Sequence, residues 1–233
     1  MINTYNESTL HEKLKNKYAE LSNGKTEVEL NGFFCDVVSG KEIYEIQTAN
    51  LSSLASKISR LISDYSVTVV FPIAERTTIQ WQTEAFELIS ERKSPKKENE
   101  YRLFKEITKL LPFIDNSNFK IILLKAEIIE TRIKTDKPVQ LKNNSRRWKK
   151  NWYKKDKDLL KINSELVFDL RCSYINLVRA ITDNQDFSLK QLQQNKACRK
   201  YAGLIIWTMK KLGEIEETAR KGNEKFYRFV KQP

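Results

Sequence analysis

Ser66 to Pro72, SVTVVFP, is an unbroken apolar run of strand-forming residues. A half-exposed strand alternates apolar and polar side chains, so this run fits a strand covered on both faces. Such a strand belongs inside a sheet, reached through a helical crossover and lying parallel to a neighbour. The crossover stands immediately before it. Asn50–Tyr65 places Leu54, Ile58, Leu61 and Ile62 on one face and serine, lysine and arginine on the other, the pattern of an amphipathic helix.

Further upstream, Leu10, Leu14, Tyr18 and Leu21 recur at helical spacing, so Ser8–Leu21 is expected to be a helix. Ser8 or Thr9 can cap it, Glu12 completes a capping box with Thr9, and Asn23-Gly24 ends it. Thr26–Leu30, Phe33–Val38 and Glu42–Thr48 read as three antiparallel strands turning at Asn31-Gly32 and Ser39-Gly40. The order α-β-β-β-α-β follows.

The second hairpin, Gly32–Thr48, carries the chemistry. Alternation puts Glu45 and Gln47 on one face and Tyr44 and Ile46 on the other, and Asp36 on the neighbouring strand is placed to meet Glu45. Converging carboxylates repel unless a cation lies between them, and hard oxygen ligands suit Mg²⁺. That reading is a metal-dependent phosphodiester hydrolase. The plain alternative is a half-exposed hairpin with polar residues facing water. His11 shares a helix face with Glu7, four residues earlier, as a phosphate contact, a proton carrier or an ordinary helix-surface histidine. Cys35 is expected to be a buried small hydrophobe facing away from Asp36.

Charge narrows the partner. The net charge is +12, and it is concentrated. Lys142–Lys161 holds nine Lys/Arg against two acids, and Lys190–Lys231 holds eleven against four, so the remaining residues are close to neutral. Two basic blocks point to two surfaces for a polyanion. One histidine leaves little material for a zinc site or a Ser–His–Asp triad. The three cysteines, Cys35, Cys172 and Cys198, are scattered and read as free thiols of a reducing cytoplasm. No apolar run is long enough to span a bilayer, and the N-terminus lacks a signal-peptide core, so no membrane role is expected.

Downstream, Glu75–Glu91 has strand character, Arg92–Lys97 is a basic turn, Asn99–Leu111 reads as a helix and Phe119–Glu130 as a long strand. Residues 134–144 look like a linker leading into Arg146, Arg147, Trp148, Lys149, Lys150, Trp152, Lys154 and Lys155. There cations can meet phosphates and aromatics can stack on bases, or the tryptophans can pack onto the core. Helices are expected over 173–182, 188–195 and 197–212, then a hairpin across Lys221-Gly222-Asn223. Three helices and a basic hairpin are the layout of a winged helix-turn-helix. In it, Arg199 and Lys200 on the long helix and Arg220, Lys221 and Lys225 on the wing would face DNA, or the module would bind protein instead.

Taken together, Glu7 at the first helix, Asp36, Glu45-Ile46-Gln47 and the helical crossover resemble the PD-(D/E)XK superfamily of nucleases. The sequence is also similar to a prokaryotic group of this fold. That likeness lies in Asn6-Glu7, Leu10-His11, Leu14-Lys15, Gly32 to Asp36, Glu45 to Thr48 and Phe71-Pro72-Ile73-Ala74. The resemblance implies an α/β fold with a restriction-endonuclease-like mixed central sheet flanked by helices, plus a small C-terminal winged helix. It divides the chain into a nuclease domain over 1–140, a basic aromatic linker over 141–160 and a winged-helix domain over 161–233. It makes Asp36, Glu45 and Glu7 ligands of Mg²⁺ (or Mn²⁺), puts Gln47 where most members have lysine, and sets His11 beside the acids. The implied function is endonucleolytic hydrolysis of DNA in defence or repair, with DNA as partner, the choice between DNA and RNA left open by the sequence, and a homodimer or a defence or repair complex as a further partner. The alternatives are a non-catalytic DNA-binding or regulatory protein that keeps the fold, and a subunit that supplies the winged helix to a larger assembly.

Overall fold

The structure, a computed structural model, describes residues 7–139, 150–183 and 185–230. It is α/β: a mixed sheet with helices on its faces, and a smaller three-stranded sheet at the C-terminal end.

Helix α1 (Thr9–Ser22) is capped by Ser8, whose hydroxyl accepts from the His11 N–H, and ends at Asn23 in the left-handed conformation. Ser8 is one of the two caps expected, but the Thr9–Glu12 capping box is replaced by a distant partner. Asp156 accepts from the Thr9 backbone N–H at 3.0 Å and from its hydroxyl at 2.5 Å, tying the first turn to a distant strand.

Strands β1 (Lys25–Leu30), β2 (Phe33–Ser39) and β3 (Glu42–Ile46) form the expected antiparallel meander. A short 3-10 turn, Leu51–Leu54, and helix α2 (Ala55–Leu61) then cross to β4 (Ser66–Gln82). As the apolar run predicts, β4 lies parallel to β3 on one side and to β6 (Phe119–Val139) on the other. Its segment Val67–Ile73 is buried throughout.

Strand β4 runs straight through Pro72, past the end at which the sequence places it. Pairing with β3 stops at Ile46–Val70, so the missing N–H of Pro72 falls where no ladder partner remains. Two residues on, the Ala74 N–H points the same way and is satisfied by the Glu98 carboxylate at 3.2 Å. The chain then returns as the exposed hairpin strand β5 (Leu88–Lys93). The helix expected over 99–111 is a series of short turns, with α3 (Leu103–Glu106) at its centre. Tyr101, Leu103, Phe104, Glu106, Ile107 and Leu110 are all buried, more than one stripe of a straight helix can cover.

The largest correction concerns the linker expected over 141–160. Residues 150–160 belong to β7 (Lys150–Phe168), which pairs antiparallel with β6 along most of its length. The seven-stranded sheet runs β1-β2-β3-β4-β6-β7, with β5 against β4. Positions 140–149 lie outside the described residues. A domain boundary at 161 would cut this strand, and the core is continuous across it. Phe168, Tyr174, Val178, Ile205 and Met209 join Tyr101, Phe104 and Phe119 in one buried cluster.

The C-terminal part holds α4 (Arg171–Thr182), β8 (Phe187–Ser188), α5 (Leu189–Gln194), α6 (Ala202–Lys211), β9 (Ile215–Lys221) and β10 (Glu224–Phe229). The small sheet has the order β8-β10-β9. Ser188 and Gln191 form a full capping box at α5. Among the described residues no helix is long and apolar enough to cross a membrane. Cys35, Cys172 and Cys198 are free, with Cys172 exposed.

Candidate functional site

The two faces of the central sheet carry different cores, and the difference decides where the hairpin acids point. Leu10, Leu14 and Tyr18 of α1 pack with Val37, Ile46, Val70 and Leu124 on one face. Cys35, Ile43, Val67 and Val69 pack with Leu54, Ile58 and Leu61 on the other. Cys35 and Val37 are two residues apart, yet they bury on opposite faces, so β2 turns over at Asp36. Opposite it on β1, Glu27 has φ +55°, and the ladder skips from Thr26–Val37 to Val28–Cys35. The period-two alternation is broken at this one place.

The consequence differs from the expected pairing. Glu45, on the face opposite Ile46, points to α2 and forms an ion pair with Lys57 at 2.5 Å. Asp36 turns toward α1 and accepts from the Ile46 N–H at 2.7 Å. Asp36 remains close enough for its charge to act on Glu45, but the two acids do not converge on one point.

Instead, Asp36 joins the first helix. His11 Nε2 lies 3.4 Å from Asp36 Oδ2, and its Nδ1 lies 3.2 Å from Glu7 Oε2. The imidazole lies between the two carboxylates, its Nδ1 buried without a hydrogen bond among the described residues, and one donor atom from each of Glu7, His11 and Asp36 falls within 4.8 Å of the others. Lys15, buried on the next turn, pairs with Glu7 at 2.9 Å and with Glu27 at 2.6 Å. Burial works against a charge on His11, but the Asp36 hydrogen bond and the Asp36 and Glu7 carboxylates outweigh it and raise its pKa.

Glu45 is the most perturbed acid of the hairpin. It is 4% exposed, and its Oε1 is buried without a hydrogen bond among the described residues. Burial, opposed by Lys57 and reinforced by Asp36, pushes its carboxyl up to about 7. Cys35 is buried as expected, and burial pushes its thiol up to about 11. Gln47 donates to the Ala49 carbonyl at 2.6 Å, so its amide tethers the following loop.

Lys57 was not singled out in the sequence, although it is a lysine on the polar face of the crossover helix directly after the hairpin. A second missed set is Glu98, Arg102 and Glu106, spaced at i,i+4. Arg102 pairs with both acids and also donates to the Thr48 carbonyl, linking the end of the hairpin to the far part of the sheet.

The basic aromatic segment is built into β7. Trp152 packs edge-on against Trp81 at 5.4 Å between ring centroids, with Arg132 at 4.4 Å and Lys150 at 4.8 Å from its ring. Lys154 pairs with Glu130, and Lys155 sits 3.5 Å above the exposed Phe86 ring. Arg146, Arg147, Trp148 and Lys149 lie outside the described residues. In the C-terminal part, Arg199 donates to the Gln193 carbonyl and Lys200 lies near the Tyr201 ring. Arg220 and Lys225 share Glu217, while Lys221 is exposed and makes no ion pair among the described residues.

The chain is similar to an uncharacterized protein of Treponema pallidum (strain Nichols), 34% identical over 132 residues, which are 55% of this chain and 52% of that protein. The match thus spans about half the length of this curated relative. No solved structure matches. The model of one family matches residues 8–169, from the cap of α1 to the end of β7, and by this match the chain belongs to the family described as Domain of unknown function (DUF8091).

Proposed function

We propose that the protein is a Mg²⁺- or Mn²⁺-dependent endonuclease acting on DNA, with a PD-(D/E)XK-like core and a C-terminal winged helix. The observation that carries this reading is the gathering of His11 on α1, Glu7 just before its cap and Asp36 on β2, beside the buried Glu45–Lys57 pair. Two carboxylates and an imidazole within 4.8 Å suit a divalent cation, and the buried Glu45 oxygen without a partner marks a charge left incompletely neutralised nearby. Glu7, Asp36 and His11 would hold the ion, which when bound polarises a phosphodiester and acidifies water.

The chain's own residues supply the rest. Lys57 brings to Glu45 the ammonium group that Gln47 cannot offer. A glutamate with its pKa raised to about 7 can exchange a proton near neutral pH, as a general acid or base requires. The helix order of the C-terminal part and its β8-β10-β9 sheet support the winged-helix reading, with Lys200, Lys221 and Lys225 offered to the DNA backbone.

One observation favours a second reading, a DNA-binding protein without cleavage. Gln47 is tied to the Ala49 carbonyl rather than left open to orient a nucleophile. The two readings separate in one experiment. Wild-type protein with Mg²⁺ or Mn²⁺ is expected to nick or linearise plasmid DNA, Asp36→Ala to lose that activity, and Lys57→Ala to reduce it. Equal cleavage by wild type and Asp36→Ala would overturn the site. DNA binding without metal-dependent cleavage would establish the second reading.

A further inference from the structure

A second polar site lies on the opposite face of the sheet from α1. Asp156 and Asp158 on β7 reach α1 through Thr9 and Lys13, so Lys157 between them points to the other face. There it lines a cavity of about 220 Å³ with Lys96, Arg132, Lys154, Glu98 and Glu130.

The charges in this cavity are unequal in a specific way. Glu130 is 7% exposed and held by Arg132 at 2.6 Å and by Lys154 at 2.5 Å. Glu98 is held by Arg102 and, at 3.7 Å, by Lys96. Each carboxylate is therefore already satisfied by two cations. Lys157 is half-buried and makes no ion pair among the described residues. Burial, and next the Lys154 charge, lower its pKa. The Lys154 and Arg102 cations oppose its charge while the Glu130 and Glu98 carboxylates support it, and it brings an ammonium group with three N–H donors to the cavity wall. Thr77 and Ser94 add neutral hydroxyl donors to the same wall. Acceptors are already used, and donors are in excess.

We propose that this cavity binds a small phosphate-bearing anion, with Lys157 as its principal ligand and Lys96 at its mouth. Lysine is a point charge with rotatable donors and suits a tetrahedral anion that offers oxygens in several directions. A cavity of about 220 Å³ has room for a pyrophosphate-sized group. The assignment stands independently of the nuclease reading, since it uses none of Glu7, His11, Asp36, Glu45 or Lys57.

The test uses inorganic pyrophosphate as the probe, with sodium chloride at matched ionic strength as the reference. At about tenfold over its Kd, pyrophosphate is expected to raise the Tm of the wild-type protein by roughly 4 °C. Lys157→Met is expected to lose this rise and to weaken binding by calorimetry at least tenfold. Lys161→Gln, an exposed change on the same strand, is expected to keep both. Without ligand, Lys157→Met should be at least as stable as wild type, because it removes a half-buried charge that lies beside the Lys154 cation. Should that variant not fold, Lys96→Gln, whose side chain is 73% exposed, is read in its place and should weaken binding several-fold. No wild-type shift beyond the sodium chloride reference overturns the proposal, as does an undiminished shift in Lys157→Met. Loss of pyrophosphate binding when a short DNA duplex is present overturns the assignment to a small anion.

Discussion

Glu45 and Glu130 are both buried glutamates on the central sheet, and the structure treats them in opposite ways. Glu45 is 4% exposed and Glu130 7%, so burial penalises both carboxylates. Glu130 has two cations within hydrogen-bonding distance, and their pull outweighs burial and lowers its pKa. Glu45 has one cation and the Asp36 carboxylate nearby, and burial wins. Depth alone therefore does not set the state of a buried acid; the count of neighbouring charges does. The cation-rich region is built as a fixed ion network. The hairpin region matches its buried Glu45 with a single cation, Lys57.

Changes that alter these counts sharpen or break the comparison. Removing Glu130 should have the largest effect. Glu130→Ala leaves Arg132, Lys154 and Lys157 facing one another and is expected to cost about 3 kcal/mol, at the lower end for a broken buried pair because Lys154 is partly exposed. Urea unfolding at pH 7 measures it, and a cost near zero would show that the network contributes no stability.

The next effect is in pH. A folded pKa of about 7 for Glu45 against an ordinary value of 4.5 means that the folded state holds this proton more tightly than the unfolded chain. Stability is therefore highest below pH 4.5 for this group and falls as pH rises toward 7, by roughly 3 kcal/mol. Glu45→Gln should flatten that window in unfolding curves taken between pH 4.5 and 7. His11, whose folded pKa is also raised, leaves a smaller slope of the same sign that begins near 6.5. Glu130 acts the other way: its contribution is present above the ordinary carboxylate value and is lost only as pH falls below it. If Glu45→Gln leaves the slope unchanged, burial has been misassigned as the controlling factor.

Lys57→Met should cost less, about 2 kcal/mol at pH 8, because it leaves one buried group unmatched. That cost should fade toward pH 5, where Glu45 escapes it by taking a proton. A cost independent of pH would mean that Lys57 stabilises by packing alone. The smallest effect is expected for Asp156→Ala, which removes the tie between β7 and the first turn of α1. It should cost about 1 kcal/mol, as the loss of a helix cap does. At the proposed metal site it should also weaken Mn²⁺ binding, read by metal titration. Unchanged metal affinity would show that α1 is positioned without this tie.

Much of the fold is legible in the chain because it rests on local periodicity. The apolar run at 66–72 demands parallel neighbours, and β3 and β6 supply them. The spacing of Leu10, Leu14 and Tyr18 marks the buried face of α1. Glycine and asparagine at the turns set the meander. Residues 150–160 read as part of a linker in the sequence because their lysines and tryptophan stand without apolar alternation. In the fold Lys154 pairs with Glu130 on β6, and Trp152 packs against Trp81 on β4 and Arg132 on β6. A strand at the edge of a sheet, stabilised by long-range ion and ring contacts, carries little local signature.

The candidate site divides in the same way. The residue types and their order, an acid on the first helix and two acids and a glutamine on the hairpin, are written in the chain, and so is the excess of positive charge. Which of them meet is decided only by the tertiary structure. The turn-over of β2 at Asp36, matched by the left-handed Glu27 on β1, sends Asp36 to His11 and Glu7 and leaves Glu45 to Lys57. A one-residue break in alternation reverses a side chain's face, and it depends on the neighbouring strand.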